Sequence, residues 1–128
     1  MNTKNAKTVL MSVFMLVASV ASLNANALNF GCVLTDAKQN VLGEILDSDL
    51  INKPSATVSN YKKTVGDFII AVTIDTNPPT PQNGSMYYIS LEDTKRQIKV
   101  TTVGRSGLDF PSLGYQADQT YNFSCMSQ

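Results

Sequence analysis

The sequence predicts an all-β domain, a small antiparallel β-sandwich or barrel of about seven strands closed by one disulfide between its first and last strands. Three observations carry this. Clusters of turn-forming residues interrupt the chain about every eight to twelve residues after position 28. Between the clusters, apolar and polar residues alternate with the period of a strand that buries one face. Cys32 and Cys125 stand near the two ends of that region, each within an alternating segment.

The N-terminal segment is of another kind. Lys4 and Lys7 precede an apolar run from Val9 to Ala21, followed by the short polar stretch Ser22 to Ala27 that ends in Ala25-Asn26-Ala27. Residues 1–27 therefore read as a cleavable secretory signal peptide, with small side chains where a signal peptidase needs them. A membrane anchor is disfavoured because a spanning helix takes about 20 apolar residues. Cleavage after Ala27 removes 27 of 128 residues and leaves 28–128 as one exported domain, enough chain for a single core. Lys4 and Lys7 leave with the signal, so the mature chain keeps eight basic and ten acidic residues and a formal net charge of −2. Capture of nucleic acid calls for a concentrated basic surface, and Lys95, Arg96 and Lys99 form only a small cluster at a hairpin end. No membrane insertion is expected after cleavage.

The elements follow in order. Phe30, Cys32 and Leu34 share the face of a first strand. Asp36 to Asn40 is a hairpin turn into a strand from Val41, although Val41, Leu42, Ile45, Leu46, Asp49 and Leu50 also fit a helical stripe; Gly43 weakens the helix, and a short helical turn is placed around Asp47 to Ile51. Ser55 to Tyr61 is a modest strand suited to a sheet edge. Phe68 to Thr76, apolar on both faces at its start, is a central strand. Met86 to Leu91 and Gln97 to Val103 flank a polar turn and form a hairpin. Gly104 to Asp118 is the longest stretch without strand periodicity. Tyr121, Phe123 and Cys125 then alternate with Asn122 and Ser124 in a last strand whose cysteine faces inward.

An even pair of cysteines in an exported chain is most simply a disulfide, here bridging inward faces of the first and last strands. Lipidation of Cys32 is disfavoured because Asn29-Phe30-Gly31 lacks small aliphatic residues and Cys125 would be left unpaired.

The chain has no histidine. That removes the usual general base near neutral pH and the commonest metal ligand, and with no Cys-x-x-Cys spacing a thiolate metal site or redox dithiol is unsupported too. No catalytic residue, metal ligand or cofactor is assigned. Gly104-Arg105-Ser106-Gly107 breaks the Gly-x-Ser-x-Gly spacing of a nucleophile turn and reads as a glycine-bounded turn. Glu44, Asp47 and Asp49 lack the ordered loop of a calcium site and read as solvated acids. Asn83-Gly84-Ser85 and Asn122-Phe123-Ser124 match the glycosylation sequon, which has meaning in a eukaryotic host alone. Tyr87 and Tyr88, adjacent in a strand, must point to opposite faces, so core packing accounts for at least one. The absence of tryptophan weakens a carbohydrate-binding reading. Ser106-Gly107 is similar to the serine-glycine loop of bacterial periplasmic lysozyme inhibitors, also small exported β-domains with a disulfide. The aromatic pattern that follows the loop in that family is missing here.

These readings converge on an exported, non-enzymatic module that binds a protein or surface polymer through its loops. A small carboxylate-based hydrolase, or a hydrolase inhibitor or accessory, is the runner-up; a structural envelope component is the third reading. Gly104 to Asp118 carries Leu108, Phe110, Leu113 and Tyr115, a costly set to leave in water. Folding back to plug one end of the sandwich is the favoured fate of these side chains. In the alternative, Phe110 and Tyr115 stay exposed and form the partner site with the stiff loop containing Pro78, Pro79 and Pro81.

The leader reading makes a direct prediction: mass spectrometry of the exported protein finds an N-terminus at Leu28. A chain beginning at Met1, or a lipid-modified Cys32, would refute the soluble exported domain.

Overall fold

A computed structural model describes residues 30–77, 84–106 and 110–127. The predicted signal peptide and the loop prolines Pro78, Pro79 and Pro81 lie outside the described residues. Nine strands are present among those described: β1 (Phe30–Thr35), β2 (Val41–Ile45), β3 (Leu50–Asn52), β4 (Val58–Val65), β5 (Phe68–Asp75), β6 (Met86–Asp93), β7 (Ile98–Arg105), β8 (Ser112–Gln116) and β9 (Thr120–Ser127). They form two antiparallel sheets, one of four strands in the order β2-β1-β9-β8 and one of five in the order β3-β4-β5-β6-β7.

The strand count exceeds the expected seven by two short strands. β3 is three residues long and exposed throughout, so it shows no alternation to read. β8 lies inside the stretch expected to lack strand periodicity. Its Leu113 and Tyr115 point inward, but Gly114 faces out between them and Pro111 precedes it, which hides the strand pattern. Ser55 to Tyr61 is corrected as well: the strand is Val58–Val65, and it sits inside the five-stranded sheet because β3 pairs with it at Asn60 and Tyr61.

Elsewhere the expected elements form. The Asp36 carboxylate accepts the backbone N–H groups of Lys38 and Asn40, each at 2.9 Å, and Gln39 takes a positive φ, so the β1–β2 hairpin turns where the sequence places it. A single 3-10 turn, Asp47–Asp49, follows β2; the Asp49 carboxylate accepts the Leu46 N–H at 2.7 Å and lies 3.6 Å from the Lys63 ammonium. β5 is the middle strand of its sheet and alternates buried with half-buried residues along its whole length.

The core lies between the sheets. Leu34 and Phe123 from one and Ile70, Val72, Ile89 and Leu91 from the other are almost wholly buried. Burying each such side chain contributes about 1.5–3 kcal/mol. Aromatic edges join the layers: Phe68 meets Tyr121 at 4.7 Å and Tyr115 at 6.4 Å between ring centroids, and at the opposite end Tyr87 meets Phe110 at 5.3 Å. At one corner β2 runs beside β4 so closely that a Cβ on Gly43 would lie 2.6 Å from Val65 Cγ2.

Cys32 and Cys125 form a disulfide, as expected, but one that joins neighbours within the four-stranded sheet. The two residues are directly opposite in the β1–β9 ladder, with Cα atoms 3.9 Å apart. The Cys125 N–H donates to the Pro111 carbonyl on its other side, so the cysteines occupy a non-hydrogen-bonded pair, where side chains approach most closely.

Two stability predictions follow from this packing. Cys125→Ser lowers unfolding free energy by about 2–5 kcal/mol in denaturant titration, because the bridge closes nearly the whole domain. Gly43→Ala costs about 1–3 kcal/mol as the β2–β4 corner is forced apart. A neutral Gly43→Ala would show that this corner yields freely.

Candidate functional site

Strand alternation gives the five-stranded sheet a second, outward face, and the register decides what that face presents. One row across the strands runs Asn60, Thr73, Tyr88 and Val103; the next runs Lys62, Ala71, Ser90 and Thr101. The second row has small side chains on β5, β6 and β7, whereas the first carries a ring and a branched side chain. The result is a shallow trough of about 590 Å³ across β5, β6 and β7. Ala71, Ser90 and Thr101 make its floor, Thr73, Tyr88 and Val103 one wall, and Lys99 stands on the other side.

Tyr88 and Val103 are 43 % and 48 % exposed, so the wall is an apolar ridge open to solvent. Thr73 Oγ1 donates to Asn60 Oδ1 at 2.7 Å, which holds the β4 end of that ridge in place. Tyr87, by contrast, is buried beneath the sheet, which resolves the tyrosine pair into one core residue and one surface residue.

A second recess, of about 350 Å³, opens at the end of the sandwich where the β1–β2, β4–β5, β6–β7 and β8–β9 turns gather. Its base is Asp93, the single buried charged residue among those described. The carboxylate accepts the Tyr115 hydroxyl at 2.8 Å, the backbone N–H groups of Lys95 and Arg96 at 3.1 Å each, and Arg96 Nη1 at 3.0 Å. Burial pushes its pKa up, but the Tyr115 hydroxyl and the Arg96 backbone and guanidinium outweigh it and hold the group below the ordinary aspartate value. Thr94 ties this turn to its neighbour by donating its backbone N–H and its hydroxyl to the Asp67 carbonyl at 2.9 and 2.8 Å. With its acceptor positions engaged by these donors, Asp93 is a clasp for the β6–β7 turn.

The residues singled out in the sequence distribute as follows. Cys32 and Cys125 are buried in their bridge. Tyr115 is a core residue, its ring on Phe68 and its hydroxyl on Asp93, so it cannot face a partner. Phe110 is half-buried against the core through Tyr87. The exposed-contact reading of Tyr115 is corrected, because an inward-facing strand position buries it; Phe110 is half-buried on Tyr87, and Leu108 lies outside the described residues. Lys95, Arg96 and Lys99 do not act as one cluster, since Arg96 is drawn onto Asp93 and Lys99 lies at the trough. Nor do Glu44, Asp47 and Asp49 assemble into a cation site; among the described residues no three metal-ligating side chains gather. Glu44 is half-buried, and desolvation raises its pKa. The trough itself was missed. Its only hint in sequence is Tyr88 set opposite a core-bound Tyr87.

No protein-family model matches the chain, and no curated protein or solved structure matches it either.

The Asp93 clasp yields a pH prediction. A carboxylate with a depressed folded pKa contributes stability above its unfolded pKa and loses it as pH falls through the folded value. Asp93→Asn thus lowers the melting temperature by about 5 °C or more at neutral pH and flattens the loss of stability in acid. An unchanged acid profile would show that the clasp does not couple to folding.

Proposed function

We propose that this protein is an exported, non-enzymatic module that binds a protein or surface polymer, and that it does so on the outer face of its five-stranded sheet. The observation that carries this reading is the exposed ridge of Tyr88 and Val103 over a floor of small residues. An exposed aromatic beside a recess that admits a partner's atoms is the usual anatomy of a binding hot spot. Export is supported by the leader pattern of residues 1–27 and by a buried disulfide, which belongs with an oxidising compartment. Among the described residues no helix is long and apolar enough to cross a membrane.

The non-enzymatic part rests on the available chemistry. The chain has no histidine, its cysteines are joined, and Asp36, Asp49 and Asp93 are each held by turn or strand donors. The polar side chains lining the trough are hydroxyls and one ammonium, which can hold a ligand but supply no general base near neutral pH.

Binding of purified mature protein to envelope polymers and envelope proteins tests the reading. The double variant Tyr88→Ala, Val103→Ser loses binding by about tenfold or more while its melting temperature stays within a few degrees, as expected of exposed side chains. Phe110→Ala lowers stability instead. Should the double variant bind normally and Phe110→Ala lose binding without losing stability, the outer face is not the site.

A further inference from the structure

We infer that the ligand of the outer-face trough is an acidic polysaccharide, one whose sugar units carry carboxylates; this rests on the outer-face binding reading above. Three features of the face argue for it together. The first is shape. The floor row runs perpendicular to the strands from Lys62 on β4 through Ala71 and Ser90 to Thr101 on β7. The three strands of the trough, spaced about 4.8 Å apart, make its floor about 10 Å long, with Lys62 one strand beyond, the reach of a short oligosaccharide lying across the sheet. It is open above, so a polymer can pass through without a chain end.

The second feature is the pairing of an aromatic ring with hydroxyls. Tyr88 presents an exposed ring at the wall, while Ser90 and Thr101 present hydroxyls beside it. A sugar offers an apolar C–H face and a rim of hydroxyls, and each part finds its complement here. A hydrophobic peptide would use the ridge but leave the hydroxyls idle.

The third feature is charge. No carboxylate lines the trough, whereas Lys99 does, and Lys62 stands at the far end of the floor row. Neither lysine is in an ion pair among the described residues. Glu92 lies opposite Lys99 in the ladder and on the same face, but it does not line the trough and makes no ion pair with Lys99. Asp75 is a further row away, with its carboxylate accepting the Asn77 N–H. Two unpaired ammonium groups flanking a groove without carboxylates are complementary to a chain carrying spaced negative charges.

Affinity electrophoresis of the mature, disulfide-bonded protein tests this with four probes in the gel: polygalacturonate, its fully methyl-esterified form, dextran and poly-glutamate. Polygalacturonate is expected to retard the protein, with the effect falling as salt rises, and the other three to retard it far less. Tyr88→Ala weakens that retardation by about tenfold, and Lys99→Gln reduces both the retardation and its salt dependence at an unchanged melting temperature. Equal binding of the methyl ester or of dextran would overturn the acidic requirement, and equal binding of poly-glutamate would overturn the sugar requirement. Absence of retardation by polygalacturonate would overturn the inference. If an envelope protein is then bound in a Tyr88-dependent way, the outer-face reading survives; if no binding depends on Tyr88, both fall.

Discussion

Pairing of the first strand with the last is the constraint on which the rest of the structure depends. β1 is sandwiched between β2 and β9, and β9 in turn carries β8, so the four-stranded sheet exists only once residues about ninety apart in sequence have met. Such non-local pairing has a high closure cost that later contacts must offset. The Cys32–Cys125 bridge sits within this ladder, at a position where side chains already approach, and removes much of that cost from the unfolded ensemble. With the ends joined, Leu34, Phe123 and Tyr121 form the lid against which the five-stranded sheet packs.

A second organising contact works at one end of the sandwich. Asp93 would be costly to bury alone, and it is tolerated because a tyrosine from the opposite sheet, two turn amides and a guanidinium all donate to it. The same carboxylate therefore shapes the β6–β7 turn and ties β6 to β8. Gln119 adds another tie by accepting the Ala37 N–H at 3.1 Å, linking the β8–β9 and β1–β2 turns. The polar groups at this end of the sandwich are thus engaged in holding turns together.

This division of labour explains why the outer face of the five-stranded sheet carries the functional reading. The inner face is committed to the core and the turn end to the Asp93 network. The outer face of the five-stranded sheet keeps a row of small residues on β5, β6 and β7, a bulkier neighbouring row, and Lys62 and Lys99 in no ion pair among the described residues. On the proposed reading, such a face would bind by shape and complementary charge, through residues that contribute little to folding.

The sequence by itself determined the class of the domain and most of its strands, because alternation is a local property read within a few residues. Phe68 to Thr76 as the central strand, one residue longer than the observed β5, the β6–β7 hairpin, the Asp36 to Asn40 turn and the inward-facing cysteines are all visible this way. The absence of histidine was visible too, and it bounds the chemistry whatever the fold. Tertiary structure decided the remainder. β3 and β8 become strands through the partners they find, since three exposed residues and a Gly-interrupted pentapeptide carry too little periodicity of their own. The fate of Tyr115 stayed open between core and contact surface because its partners, Phe68 and Asp93, are distant in sequence. The trough was illegible for the same reason: Ala71, Ser90 and Thr101 are ordinary surface residues until the register of three strands sets them side by side. Strand order and register depend on contacts between residues far apart in the chain, so no local window of sequence contains them.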